Sequence, residues 1–220
     1  MDEYLMRPQA LPTWGQRTAL RLLNLIGWQF RFKPLPGPHG IVVVYPHTSN
    51  MDFFVGLLAK WACGLQFRWL AKDSLFRGPM GVIMRYWGGV AIDRSAPQGA
   101  IRRLAQDMLA SDWFWLAITP EGTRGYRPYW KSGFYRIAHA AGVPVSLVSI
   151  DYGKKMIDVT RTMRLSGDED ADMVLIRQAY EGVRARFPQD AAPIRMAPNP
   201  PAQGGNQAPG QESDHACKQA

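Results

Sequence analysis

Cysteine is scarce. Only Cys63 and Cys217 occur in 220 residues, far apart, the second in a polar tail. That excludes a disulfide framework and a cysteine-based metal cluster, and it fits a reducing compartment. No apolar run reaches the roughly 18–20 residues that span a bilayer: Leu22–Phe30 is too short, and Phe53–Ala71 is broken by Lys60 and Arg68. The acidic start Asp2–Glu3, with no small-residue cleavage site, argues against a secretory signal. There is no dense basic tract, no helix-turn-helix pattern and no RNA-binding signature, so nucleic acid is not the expected partner. Disorder is excluded as well: 46% of residues are hydrophobic, with eight Trp, eight Tyr and nine Phe to fill a core. What remains is a soluble or peripheral protein of ordinary domain size.

Its charge is lopsided. The chain carries +8, and from Gln189 onward the tail carries −1, leaving +9 on the first 188 residues. A domain this basic suits an anionic partner, such as an acidic lipid surface or a phosphorylated substrate.

Along the chain, residues 1–35 form an amphipathic N-terminal segment. Thr13 to Phe32 reads as one helix with Arg17 and Arg21 near its start and Trp14 and Trp28 as boundary-type aromatics. Such a helix can lie in a headgroup layer or pack on its own domain. PLPGPHG at 34–40 is a turn-rich break. Strands are then expected at Ile41–Tyr45, Phe67–Ala71, Gly89–Ile92, Trp113–Thr119, Val143–Asp151 and Met156–Thr160. Helices are expected at Met51–Gly64, through Trp87, at Pro97–Ala110, at Ser132–Ala141 and at Asp170–Phe187. This alternation predicts an α/β fold, a mostly parallel central sheet flanked by helices, over residues 36–188. Residues 189–220, rich in Pro, Gly, Gln and Asn, are expected to be a disordered tail whose removal leaves activity unchanged.

Three polar clusters each follow an expected strand: Pro46-His47-Thr48-Ser49-Asn50-Met51-Asp52, Ile92-Asp93-Arg94, and Pro120-Glu121-Gly122-Thr123-Arg124. In open α/β sheets ligands bind beyond the carboxyl ends of the strands, where such loops converge. If Ser49 or Asn50 caps the following helix, Asp52 falls in its first turn and can accept Nδ1–H of His47, freeing Nε2 as a general base. That is the lower half of a Ser-His-Asp arrangement, with the substrate hydroxyl as nucleophile. The alternative is a capping Asp beside a surface His. Arg94 and Arg124 suit bidentate phosphate binding.

In this order and spacing, the blocks resemble the glycerolipid acyltransferases of the lysophosphatidic acid acyltransferase type. His47-(four residues)-Asp52 is similar to the family's catalytic HX4D block, Gly89–Arg94 to the block ending in a substrate-binding Arg, and Pro120–Arg124 to the third block in full. Val143-Pro144-Val145 resembles the start of the fourth, Lys72-Asp73-Ser74-Leu75 a further Lys-containing segment, and Trp130–Gly133 the stretch after the third block. The chain departs from the pattern at Pro46, at Gly125, and at Ser146-Leu147, where a second Pro is more usual.

The resemblance implies acyl transfer from acyl-CoA or acyl-acyl carrier protein to a lysophospholipid hydroxyl, foremost 1-acyl-sn-glycerol 3-phosphate giving phosphatidic acid, in phospholipid biosynthesis. It assigns His47 and Asp52 to catalysis. Lys72, Arg94, Glu121, Gly122, Thr123 and Arg124 fall to substrate binding, with the two arginines on phosphate and Glu121 and Thr123 on glycerol oxygens. No metal and no cofactor beyond the acyl donor is expected. The expected location is peripheral, on the cytoplasmic face of an anionic membrane. Rival readings are a different lysolipid acceptor, a thioesterase using the same dyad, and a non-catalytic lipid- or nucleic-acid-binding module.

Overall fold

A computed structural model describes residues 13–92 and 97–197, with side chains left undescribed at 13, 71–72, 92 and 97–98. The chain runs α1 (Thr13–Leu25), β1 (Gln29–Arg31), β2 (His39–Tyr45), α2 (Asn50–Cys63), β3 (Phe67–Lys72), a 3-10 turn (Asp73–Phe76), α3 (Gly78–Tyr86), β4 (Gly89–Ile92), α4 (Pro97–Ala110), β5 (Phe114–Ile118), α5 (Gly133–Ala141), β6 (Val145–Asp151), β7 (Met156–Met163) and α6 (Glu169–Ala179). The seven strands form one sheet in the order β1-β7-β6-β2-β5-β3-β4. Every neighbouring pair is parallel except β6 and β7. This is the mostly parallel α/β sheet expected of the alternation.

Right-handed crossovers sort the helices between the two faces. The steps β2-α2-β3 and β3-α3-β4 move towards the β4 edge and put α2 and α3 on one face. The steps β4-α4-β5 and β5-α5-β6 move back and put α4 and α5 on the other. The cores agree. On the first face Leu23 of α1 and Val55 and Ala59 of α2 pack with Ile150 and Ile157. On the second, Met108, Phe134 and Ile176 pack with Ile41, Val43 and Leu116. Gly40 admits Trp115 across the sheet surface: a Cβ there would stand 2.3 Å from the indole ring.

Three expectations are corrected. The first helix ends at Leu25 instead of continuing to Phe32. Gly27 adopts φ 78° and Trp28 N–H returns to Leu23 O at 2.8 Å, a closure only a residue tolerant of left-handed backbone makes cheaply. Residues 29–31 then join the sheet beside β7. The last helix ends at Ala179 instead of Phe187, because the buried Tyr180 turns inward and donates its hydroxyl to Val43 O at 2.7 Å.

Third, residues 189–197 are packed. Ala192 is buried, and Met196 bridges to Trp130 beside it. The ordered domain therefore passes the expected end at 188, and residues 198–220 and 1–12 lie outside the described residues. Helix α1 buries Ala19 and Leu23 while leaving Trp14, Leu22 and Leu25 exposed. Among the described residues, no helix is long and apolar enough to cross a membrane.

Candidate active site

Strands β6, β2 and β5 are adjacent and parallel, so their carboxyl ends stand side by side. The residues just past those ends are Tyr152, His47 and Glu121: His47 meets Glu121 through its backbone N–H, and Tyr152 and His47 both meet Asp52. Helix α2 starts immediately after His47. Ser49 is its N-cap, its side chain accepting from Met51 N–H at 3.1 Å, and Asp52 at the third helical position reaches back to the cap. This capping box serves the site as well as the helix. Asp52 Oδ2 accepts the amides of Thr48 and Ser49, each at 2.8 Å, and lies 3.3 Å from His47 Nδ1. Its other oxygen, Oδ1, accepts the Tyr152 hydroxyl at 2.6 Å.

Asp52 is only 3% exposed. Burial by itself would raise its carboxyl pKa, but the hydrogen bonds from His47, Tyr152 and the Ser49 amide, with the His47 charge, outweigh that and hold it below the usual range. It is therefore a fixed anion facing an imidazole, the arrangement that selects the Nδ1–H tautomer and leaves Nε2 as the base.

Glu121 departs from its expected role on glycerol oxygens. It is 1% exposed, and both oxygens are taken by backbone: Oε2 accepts His47 N–H at 2.5 Å and Oε1 accepts Ala192 N–H at 3.0 Å. Burial pushes its carboxyl pKa up, against the lowering effect of those two amides. Glu121 fixes the backbone of the histidine and does not face the cavity. Tyr45, beside the cis Tyr45–Pro46 bond, joins the same bracket by donating to Ala192 O at 3.0 Å.

His47, Asn50, Asp52, Gly122, Thr123 and Arg124 all line one cavity of about 1240 Å³. Its lining runs from α2 and the sheet face beneath it, through Phe53, Leu57, Val42, Val44 and Val148, to α4 and α5 residues such as Leu104, Phe134 and Ile137. Gly122, at φ 66°, lets the loop pass against Lys131, whose Cε would lie 2.9 Å from an added Cβ. Thr123 Oγ1 accepts Gly125 N–H at 3.5 Å, and Arg124 is exposed at the rim.

Two further expected site residues are placed less fully. Lys72 ends β3, the neighbour of β5, with its side chain undescribed, and Arg94 lies outside the described residues. Lys60 and Cys63 also line the cavity. Lys60 Nζ donates to Trp87 O at 2.5 Å, and burial lowers its pKa to about 8. Burial raises the Cys63 thiol to about 11, which makes it a poor nucleophile.

Sequence reasoning missed Tyr152, Arg186 and the Ala192 amide. Arg186 stands 3.4 Å from Ser49 Oγ, and its guanidinium sits 6.0 Å from the Tyr152 ring centre. Tyr152 carried a usable signal, since it directly follows a strand, as the three recognised clusters do. Arg186 and Ala192 carried none, because they lie in segments read as helix and as disordered tail.

A solved structure of PlsC from Thermotoga maritima, a 1-acyl-sn-glycerophosphate (LPA) acyltransferase, aligns with 76% of this chain and 77% of its own, at 22% identity and a TM-score of 0.49. No curated protein matches. The sequence profile of the acyltransferase family matches residues 29–151, more than half of the chain and all of the site built above up to β6. The chain belongs to the acyltransferase family.

Proposed function

We propose that the protein is an O-acyltransferase that moves a fatty acyl group from acyl-CoA or acyl-acyl carrier protein to the free hydroxyl of a lysophospholipid, with 1-acyl-sn-glycerol 3-phosphate as the acceptor. The observation that carries this reading is the His47–Asp52 contact of 3.3 Å at the wall of a large, mostly apolar cavity with Arg124 at its rim. The volume exceeds the roughly 300–1,000 Å³ of ordinary small-molecule pockets, as a long acyl chain requires.

In this reading His47 Nε2 takes the acceptor hydroxyl proton while Asp52 holds the ring and stabilises the imidazolium. The oxygen attacks the thioester carbonyl carbon to form a tetrahedral intermediate. Its collapse breaks the C–S bond, and His47 returns the proton to the leaving thiolate, giving ester and free thiol. Arg124 and Arg94 hold the acceptor phosphate, with Lys72 and Thr123 nearby. The apolar wall excludes water from the thioester, which favours transfer over hydrolysis. Anionic lipid in the membrane supplies the acceptor, and the basic domain is drawn to it.

The test offers labelled acyl-CoA or acyl-acyl carrier protein, with lysophosphatidic acid, glycerol 3-phosphate or a neutral lysolipid in mixed micelles, to wild-type and His47→Ala protein. His47-dependent label in phosphatidic acid supports the reading, with a loss of about 10²–10⁴-fold in the variant. Label in another lipid changes the acceptor. Free fatty acid alone makes the protein a thioesterase, and no turnover from folded protein overturns catalysis altogether.

A further inference from the structure

Between residues 13 and 92 the chain has nine Lys or Arg and two carboxylates, Asp52 and Asp73. Asp52 is buried in the site, and Asp73 pairs with Arg77 at 3.2 Å. That stretch contributes a net +7 of the chain's +8 and builds the helical layer of α1, α2 and α3 on a single face of the sheet. Residues 93–188 carry fourteen Lys or Arg against eleven carboxylates, a net +3 over a longer stretch, so positive charge is densest in residues 13–92.

Within the basic layer, α3 is under-packed. It buries Gly81 and Met84 and leaves Met80, Val82, Ile83 and Tyr86 exposed, Val82 at 64% and Tyr86 at 87%. From Ser74 to Ile92 there is no acidic residue, and Arg77 and Arg85 stand exposed among these apolar side chains. The 3-10 turn leading into α3 adds Leu75, and α2 adds Phe54. Leu75 and Phe54 are about half exposed and at the same time line the cavity that holds His47. The apolar outer face and the cavity therefore share one rim.

We propose that the 3-10 turn and α3, residues 73–86, with Phe54 dock on an anionic bilayer, and that the rim of Leu75 and Phe54 is where a lipid tail passes from bilayer to cavity. A contiguous exposed apolar patch with a basic surround and no free carboxylate is matched by a headgroup layer, in which apolar side chains sink and arginines meet phosphate. A water-soluble acidic protein would satisfy the arginines but leave Val82, Ile83 and Tyr86 unused. The lipid-entry half rests on the acyltransferase reading, whereas the docking half does not.

The test is co-sedimentation of the full chain with phosphatidylcholine vesicles, with and without phosphatidylglycerol. It compares wild type, Val82→Ser/Tyr86→Ser on α3 and Leu25→Ser on α1, with circular dichroism to verify folding. Binding that needs phosphatidylglycerol and weakens about tenfold or more in the α3 double variant is the expected result. Double-variant binding equal to wild type, with loss confined to Leu25→Ser, overturns the proposal. So does a wild-type dimer in sedimentation velocity that the α3 double variant dissolves, which would make a second copy the occupant.

Vesicle binding needs no turnover, so α3-dependent binding by a protein without acyl transfer would sink the functional reading and leave docking standing. Where transfer is found, the α3 double variant should lose turnover on lysolipid in vesicles and keep that on a short-chain, monomeric acceptor. Equal turnover on both would overturn the entry route.

Discussion

Tyr152 donates its hydroxyl to Asp52 Oδ1 at 2.6 Å, the carboxylate oxygen opposite the one that faces His47. The Asp52 carboxylate is thereby held from both sides, by the strand-end tyrosine and by its own helix cap. In the acyltransferase reading proposed above, Tyr152 is a positioning residue whose hydroxyl acts through Asp52.

Removing that hydroxyl should be visible in both rate and stability. Tyr152→Phe leaves Oδ1 buried and unpaired, at a cost of about 1–3 kcal/mol. It should lower kcat on the order of tenfold with KM nearly unchanged, since substrate contacts are untouched. The pH dependence has a definite sign. Asp52 titrates lower in the folded chain than in the unfolded one, so its contribution to stability is present above the ordinary carboxylate range and is lost as pH falls through the folded value. Tyr152→Phe raises that folded value, so the acid limb of denaturant-unfolding stability should move to higher pH. An unmoved limb would remove Tyr152 from the Asp52 network.

Glu121→Gln separates bracing from substrate binding. The carboxylate accepts two amides, whereas a carboxamide presents one oxygen and one NH₂ to the same two donors. The variant should unfold about 1–3 kcal/mol earlier and lose kcat through a displaced His47, with the acceptor KM little altered. A large KM rise with normal stability would return Glu121 to the glycerol oxygens.

The contrast between these two residues also shows what could be read from sequence. The His47–Asp52 pair was legible because it is local: five positions, a capping serine between them and a β-branched strand ahead decide the geometry. The partners of Glu121 and Asp52 were not, because they come from 71 and 100 positions away and meet only through the strand order β6-β2-β5. Element ends failed for a related reason. Leu20, Leu23, Ile26 and Phe30 tend to one side of a helix until Gly27 turns the chain, and the 180–187 segment leaves the helical path because Tyr180 has a buried acceptor in β2.

Lys60 gives a prediction in the alkaline range. Its pKa is lowered by burial to about 8 from an ordinary 10.5, so the unfolded chain binds the extra proton between these values and stability rises with pH across that window. Cys63, raised to about 11, acts oppositely above its ordinary 9.0. The difference between wild type and Lys60→Met isolates the lysine. The variant should be more stable below pH 8 by at most roughly 2 kcal/mol, and its advantage should shrink towards pH 10. A constant difference across that range would mean that Lys60 is charged to the same extent folded and unfolded.

The last prediction concerns where the domain stops. Ala192 N–H is one of the two donors holding Glu121, Ala192 O accepts from Tyr45, and Arg195 O accepts Trp130 N–H at 2.8 Å. A chain ended at Pro188 loses all three and exposes a buried carboxylate with one amide left, at about 1–3 kcal/mol for that group alone. Through Glu121 the damage reaches the His47 backbone, so kcat should fall together with the unfolding midpoint. A chain ended at Ala197 keeps every one of these bonds and should match the full chain in both measurements. Equal activity in the two truncations would show that His47 is held well enough without residues 189–197, and that the expected dispensable tail begins where composition first changes.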